Sequence, residues 1–189
     1  MAKILLQKGD VFSTANPMWL GKAINFVQKI NSKDNCSVYS HSGIILDEDG
    51  TTFEALWTNK KQNIFEAYKG QQVVIGRNVN MTEAKFMKGW SGIAHHEGKW
   101  YAGHRLLLFP VPFLAKYLNL GLGVCSELTM KFLFKAGLSD CWKGWNPDDV
   151  SDMIHKYKEY RIVFEGVLPD FEAYKTIARH GKYTVGGSH

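Results

Sequence analysis

The sequence predicts an α+β fold in which an antiparallel sheet or small barrel packs against helices. Segments with β-type alternation lie mainly before residue 80 and return at 160–167, whereas the helical patterns lie between them. Asp47-Glu48-Asp49-Gly50 separates two β-type runs and is a strong hairpin signal. Strands and helices that do not alternate regularly along the chain are typical of α+β domains.

Five strands are predicted from turn signals and period-two patterns. Gly9 to Ser13 resembles a turn followed by a short strand, and the hairpin loop is flanked by strands at 38–46 and 51–57. Further strands are expected at 71–79 and 160–167.

Helices are predicted at 17–31, at 80–96, at about 125–136, and from Pro147 onward. The first and last of these begin with Asn-Pro, in which asparagine caps the helix and proline occupies its first position. Asn80 with Glu83 resembles a capping box, and Gly137 is suited to end the third helix.

Composition indicates one globular domain, which we place at residues 1–184, with 185–189 as an artificial tail. Hydrophobic residues make up 45% of the 189 residues and charged residues 22%, which is the usual balance for such a domain. The net charge of +5 comes without any Lys/Arg-rich run, so we expect no nucleic-acid partner. A weak attraction to anionic surfaces, such as a bacterial wall or lipid headgroups, is compatible with this net charge.

We expect a soluble, cytoplasmic protein without an integral membrane segment. The N-terminal residues contain no apolar stretch of signal-peptide length. The longest apolar region, Leu106 to Leu122, is interrupted by two prolines, Lys116 and Asn119, and is too short to span a bilayer. The oligomeric state is left open.

The sequence predicts neither a disulfide framework nor a metal or organic cofactor. Cys36, Cys125 and Cys141 are three in number and form no Cys-x-x-Cys pair. His95 and His96 are adjacent, so on a helix they point in different directions and do not form a metal pair.

Cys125 is the candidate nucleophile because it stands at the predicted start of a helix. Unpaired N–H groups and the dipole at a helix N-terminus lower the pKa of a thiol. The backbone N–H groups of Cys125 and Ser126 could also hold an oxyanion, and Gly121 and Gly123 would let a substrate approach. The alternative is a core cysteine at a helix start, which the position alone favours equally.

His41 and Glu54 are the candidate base and orienting group. A four-residue loop at 47–50 pairs strand positions whose numbers sum to 97, so Gly43 faces Glu54 and His41 becomes its diagonal neighbour on the same face. A carboxylate there would fix the histidine tautomer, and Gly43 would leave space for substrate beside the imidazole. The alternatives are a structural histidine and a solvent-facing glutamate.

The order of these motifs resembles the permuted papain-like amidases of the NlpC superfamily, of the YaeF/YiiX type. The resemblance covers roughly residues 8–167, with histidine before cysteine in the chain. The motifs that carry it are Gly9-Asp10-Val11-Phe12, His41-Ser42-Gly43-Ile44-Ile45-Leu46, Phe53-Glu54-Ala55, Val124-Cys125-Ser126-Glu127-Leu128 and Asn146-Pro147-Asp148-Asp149-Val150.

The resemblance implies a papain-like fold with Cys125 as nucleophile, His41 as base and Glu54 as third residue. Trp100 to Gly123 has no counterpart in the family pattern, and we expect it to shape the substrate pocket, with Tyr101 and Gly123 as contacts. The function expected is a cysteine amidase or peptidase that cleaves a small peptide or a cell-wall (peptidoglycan) peptide through an acyl-enzyme. The alternatives are a lipid-directed thioesterase or acyltransferase with an acyl substrate, and an inactive binding module.

Overall fold

The computed structural model of the chain describes residues 5–15, 39–56, 58–99 and 124–180. Several predictions fall outside these ranges: the helix at 17–31, Cys36, the segment 100–123 with Tyr101 and Gly123, and the tail at 185–189.

Six strands form one antiparallel sheet in the order β4-β3-β2-β1-β5-β6. The strands are β1 (Val11–Thr14), β2 (His41–Ile45), β3 (Thr51–Ala55), β4 (Asn59–Asn63), β5 (Gln72–Asn78) and β6 (Tyr160–Val167). The sequence therefore predicted the α+β class, the antiparallel sheet and five of these strands. The strand β4 was missed because its Asn-Lys-Lys-Gln-Asn sequence lacks an apolar pattern, which an edge strand does not need.

The helices are α1 (Ile64–Ala67), α2 (Glu83–Ile93), α3 (Val124–Lys135), α4 (Pro147–Lys156) and α5 (Phe171–His180), with a 3₁₀ turn at Ala94–His96. Asn146 and Asp149 form a reciprocal capping box at the start of α4. The prediction that Asn80 caps the second helix was wrong. Thr82 is the cap, and its side chain accepts a hydrogen bond from the Lys85 N–H. The helices α1 and α5 were not predicted.

The sheet has a core on each face, as alternating side chains require. On one face, which we call the helix face, Val11, Ile44, Phe53 and Val74 are buried in one core with side chains of α2, α3 and α4. On the opposite face, Phe12, Ile45, Val73 and Ile75 share a core with side chains of α1, β6 and α5. The helix α3 lies on the helix face in contact with β2 and β3.

The β2–β3 hairpin has the predicted register. Ile44 pairs with Phe53 and Ile45 with Thr52, so the paired numbers sum to 97. Within these two fully described strands the pairing ends at Ile44, although β3 continues to pair with β4 through Glu54 and Ala55. The strands β2 and β3 therefore separate just where His41 and Ser42 lie.

Candidate active site

The start of α3 brings Cys125 to the gap between β2 and β3. Cys125 is the second residue of the helix and is 6% exposed. Its sulfur accepts hydrogen bonds from the backbone N–H groups of Ser42 and Ser126. The Ser42 N–H is available because β2 is no longer paired with β3 at this point. A gap in the sheet therefore supplies a donor to the thiol, in addition to the helix N-terminus.

His41 reaches the same gap from the opposite face of the sheet. Its ring lies near the rings of Phe12 and Tyr68, which belong to the core on that face. The Nε2–H of His41 donates to Glu54 Oε2 at 2.6 Å, and His41 also forms a hydrogen bond with Cys125. Because Nε2 is bound to Glu54, the ring nitrogen available to the thiol is Nδ1. The structure thus brings all three predicted side chains together.

Glu54 is fully buried and is surrounded by hydrogen-bond donors. Besides His41, its Oε2 accepts from Gln62 Nε2 at 3.0 Å and from the Tyr68 hydroxyl at 2.5 Å, while Oε1 accepts from the Thr52 hydroxyl. A buried carboxylate is unfavourable unless it is paired and hydrogen-bonded, and here both conditions are met. These contacts hold the carboxylate in one position and in its ionised form.

The same contacts determine the protonation of the thiol–imidazole pair. Burial, the largest single effect, would lower the pKa of His41, but the charges and hydrogen bonds of Cys125 and Glu54 together raise it to about 10. Burial would likewise raise the pKa of Cys125, but His41 and the N–H groups of Ser42 and Ser126 lower it. For Glu54, burial is again outweighed, mainly by His41, so its pKa is lowered. The favoured state is a thiolate beside an imidazolium.

Buried hydroxyl groups attach the helix to the histidine strand. The Thr129 hydroxyl donates to the Cys125 carbonyl at 3.2 Å and lies 3.5 Å from the Ser42 hydroxyl. The Ser126 hydroxyl donates to the Trp145 carbonyl at 2.5 Å, which connects the first turn of α3 to the segment before α4. These contacts fix the position of the thiol relative to the imidazole.

Gly43 has a different role from the one predicted. A Cβ atom at this position would lie 2.7 Å from Glu54 Cγ and 2.7 Å from Phe12 Cε1. The space left by the missing side chain is therefore filled by these two residues and is not open to a substrate. Gly43 lets Glu54 approach β2 closely enough to reach His41.

Sequence reasoning missed Thr52, Gln62 and Tyr68, which hold Glu54, and the Ser42 N–H, which reaches the thiol. Thr52 could have been found, since it lies two residues before Glu54 and so on the same face of β3. Gln62 and Tyr68 belong to β4 and to the end of α1, two elements that were not predicted.

A second row of Ser, His and Glu side chains lies on α4 and β6 but cannot work as a triad. His155 Nε2 is 3.0 Å from Glu165, and His155 Nδ1 is 3.4 Å from the Ser151 hydroxyl. The same Nδ1 lies 2.8 Å from the Ser151 carbonyl oxygen, so it must donate its proton there. It therefore cannot accept a proton from the hydroxyl.

Within the described ranges, no three His, Cys, Asp or Glu side chains are grouped so that they could hold a metal ion. His95 and His96 stack on each other in the 3₁₀ turn, and His96 Nε2 accepts from Lys131 Nζ at 2.9 Å. In the same part of the chain, no helix has the length and apolar character needed to cross a bilayer.

Comparison with known proteins finds similarity to solved structures. No protein-family model matches the chain, and no curated protein is significantly similar to it in sequence. A solved structure similar to this chain is the crystal structure of metalloprotein yiiX from Escherichia coli O157:H7, DUF1105. Identity is 18% and the TM-score is 0.48, with 89% of this chain and 91% of that chain covered. A likeness at this level assigns neither a metal nor an activity to this chain.

Proposed function

We propose that the protein is a cysteine amidase or peptidase in which Cys125 is the nucleophile, His41 the general base and acid, and Glu54 the orienting group. The observation that carries this proposal is the buried row of Cys125, His41 and Glu54, with the 2.6 Å hydrogen bond between the last two. A nucleophile, a base and an orienting carboxylate in contact are the arrangement that acyl transfer requires.

The reaction begins from the thiolate–imidazolium pair. The Cys125 sulfur attacks the carbonyl carbon of an amide, and the electron pair of the C=O bond moves to the oxygen. The N–H groups of Cys125 and Ser126 stabilise this oxyanion, since the first turn of α3 has no intrahelical partners for them. The imidazolium of His41 then gives its proton to the leaving amine as the C–N bond breaks.

Hydrolysis of the acyl-enzyme uses the same groups. Neutral His41 takes a proton from water, the resulting hydroxide attacks the thioester carbon, and the C–S bond breaks. The products are a carboxylic acid and the regenerated thiolate beside imidazolium. Glu54 stays ionised throughout and stabilises the positive charge on His41. No cofactor enters these steps.

We further propose that residues 1–184 form one catalytic domain of permuted papain-like type. The supporting observations are the chain order, in which His41 precedes Cys125, and the single sheet that joins β1 to β6. Small peptides and cell-wall peptides are the proposed substrates, with Tyr101 and Gly123 as predicted contacts.

The rate of iodoacetamide alkylation at Cys125, measured against pH by peptide mass spectrometry, tests the proposal. The midpoint of the pH profile is the useful quantity, because the burial of Cys125 slows all its rates equally and leaves the midpoint unchanged. We expect a midpoint well below the ordinary thiol value of 9.0 in the wild type and an upward change in His41→Ala. Cys141, which is an exposed free thiol, serves as the control within the same sample.

An ordinary midpoint for Cys125 in both proteins would refute the catalytic reading and leave a binding module. If the midpoint is low, candidate amides are screened for acylation of Cys125, with Cys125→Ala as the inactive control. Acylation by lipid esters and not by peptides would favour the thioesterase or acyltransferase alternative.

A further inference from the structure

An aromatic cavity of about 490 Å³ lies beside the turn that joins α4 to β6. The segment that follows α3 forms another part of its wall, and the start of α2 forms a third. The rings of Trp145, Tyr157 and Tyr160 line it. Small-molecule sites are concave, have volumes of about 300–1,000 Å³ and are lined by aromatic groups with a few polar ones. The cavity therefore has the size and the walls of a small-molecule site.

Hydrogen bonds hold these walls in place. The Tyr160 N–H donates to the Tyr157 carbonyl at 2.9 Å and closes the turn that carries both rings. The Trp145 Nε1–H donates to the Cys141 sulfur at 3.3 Å, and the Trp145 carbonyl accepts from the Ser126 hydroxyl at 2.5 Å. Because the walls are already ordered, a ligand would not lose binding free energy in ordering them.

The rings of Trp145 and Tyr157 have no cation over them in the part of the chain that the structure describes. The ring of Trp142, three residues earlier, has two, since Lys131 and Lys143 lie 5.4 and 5.3 Å from its centre. The face of an aromatic ring attracts a cation, and tryptophan attracts it most strongly. Trp145, which is half-buried, and Tyr157, which is 52% exposed, can therefore accept a cation from outside the chain.

The charged side chains that line the cavity also favour a cation. Asp140 and Glu159 carry two negative charges and Lys85 carries one positive charge, so their sum is −1. None of the three forms an ion pair with another described residue. Burial is the main reason why the pKa of Tyr160 rises to about 12, and the charge of Glu159 adds to this rise. The negative charge of Glu159 therefore acts on the cavity wall.

Trp145 also borders a second cavity of about 370 Å³, whose charges cancel. These are two lysines and two aspartates, namely Lys143, Lys156, Asp149 and Asp152. One lysine and one aspartate are paired, since Lys156 Nζ lies 2.7 Å from Asp152 Oδ2. The neighbouring cavity thus adds no net positive charge that would repel a cation.

The Tyr160 hydroxyl is a buried polar group that borders the first cavity. The Asn78 side chain lies close to it, but the two make no hydrogen bond of ordinary geometry. A buried oxygen without a donor costs free energy, and native structures seldom contain one without a reason. An ammonium group in the cavity could donate a hydrogen bond to this oxygen.

We propose that this cavity binds a small organic cation through its alkylammonium group. The aromatic faces attract the charge, the two carboxylates offset it, and the Tyr160 hydroxyl accepts a hydrogen bond where the ligand has an N–H. An anion would meet two carboxylates and one ammonium group, so the charges disfavour it. The inference goes beyond the proposed catalysis and does not depend on it.

Isothermal titration calorimetry on the full chain tests the proposal. The cationic probes are choline and acetyl-lysine-amide, whose charge lies on the side chain. The neutral probe is dimethylbutanol, which has the shape of choline with a carbon atom in place of the charged nitrogen. The variants are Tyr157→Leu and Lys85→Gln, with Phe134→Leu as the control, since Phe134 is 38% exposed and outside the cavity. Thermal unfolding of each variant checks that it is folded.

We expect saturable binding of a cationic probe and much weaker binding of dimethylbutanol. Tyr157→Leu should weaken cation binding about five-fold, Lys85→Gln should strengthen it, and Phe134→Leu should leave it unchanged. Tighter binding of choline would support a free quaternary ammonium compound, and tighter binding of acetyl-lysine-amide a peptide side chain. Three outcomes would overturn the proposal: no saturable binding of either cation, equal binding of dimethylbutanol and choline, or equal weakening by Tyr157→Leu and Phe134→Leu.

Alkylation of Cys141 locates the bound cation. The Cys141 thiol lines the cavity and is exposed, so a saturating cation should slow its reaction with iodoacetamide, whereas the reaction of Cys125 should not change. Cation binding without protection of Cys141 would place the ligand elsewhere and would also overturn the proposal. Because neither readout depends on the reactivity of Cys125, failure here leaves the proposed catalysis untouched, and the reverse also holds.

Discussion

Replacing Glu54 with glutamine removes one negative charge from the site while keeping the size of the side chain. In the wild type, among the described residues, three donors point at Oε2, from His41, Gln62 and Tyr68, while Oε1 accepts from the Thr52 hydroxyl alone. A glutamine amide has one oxygen and one NH₂ group, so its oxygen is expected at the Oε2 position, where more donors point. His41 then keeps an acceptor for its Nε2–H, but the negative charge beside the ring is gone. Glu54→Gln is therefore a test of electrostatics with little change in geometry.

The size of the effect follows from the hydrogen bond between His41 and Glu54. A bond to a charged group contributes about 1.5–3 kcal/mol and a neutral one about 0.5–1.5 kcal/mol, so the imidazolium loses about 1–2 kcal/mol of stabilisation. This corresponds to a decrease of about 5- to 30-fold in the population of the thiolate–imidazolium pair relative to the neutral pair. The pH at which His41 loses its proton, about 10 in the wild type, should therefore move downward by about one pH unit.

The measurement is the NMR chemical shift of the His41 ring against pH in the wild type, in Glu54→Gln and in Glu172→Gln, and the midpoint of this titration is compared among the three proteins. Glu172 lies on α5 with an 84% exposed side chain, so its substitution controls for loss of one carboxylate elsewhere. An unchanged midpoint in a folded Glu54→Gln protein would refute the reasoning. It would mean that Glu54 holds the imidazole in place without stabilising its charge.

Two further predictions concern stability. In the folded protein His41 holds its proton up to about pH 10 and Cys125 has lost its own, whereas the ordinary pKa values of histidine and cysteine are 6.5 and 9.0. Between pH 6.5 and 9 the folded and the unfolded state each hold one proton on these two groups, so the pair adds no pH dependence to the free energy of unfolding. Above pH 9 the folded state holds more protons than the unfolded state, so the free energy of unfolding falls as pH rises through about 10. Below pH 6.5 the unfolded state holds more protons than the folded state, so the free energy of unfolding falls as pH decreases. Urea unfolding measured at a series of pH values should show both decreases in the free energy of unfolding. A pH dependence of stability identical in the wild type and in the double variant His41→Ala, Cys125→Ala would contradict this. Gly43→Ala should destabilise the fold by about 1–3 kcal/mol, because its Cβ would overlap Glu54 and Phe12. A wild-type urea midpoint for this variant would show that the packing relaxes without cost.

Local signals in the sequence were sufficient for the outline of the site. The four-residue loop at 47–50 determined the register of β2 and β3, because strand side chains alternate with a period of two. That parity alone placed His41 and Glu54 on one face. The glycine and cap signals around α3 likewise placed Cys125 in its first turn.

Other features depend on contacts between residues far apart in the chain. Tyr68 and Gln62 reach Glu54 from elements with weak local patterns, and Gly43 touches Phe12 across the sheet. The gap between β2 and β3 also leaves no signal in the sequence, although it frees the Ser42 N–H for the thiol.

The sequence by itself thus determined which side chains could form a nucleophile, a base and an orienting group, and that two of them share a face. Only the tertiary structure decided that Cys125, from the helix face, meets His41, from the opposite face, and that four donors keep Glu54 ionised. The physical reason is that periodicity and capping act over a few residues. The pKa of each group in this site is determined by burial and by charges that the fold brings close from distant parts of the chain.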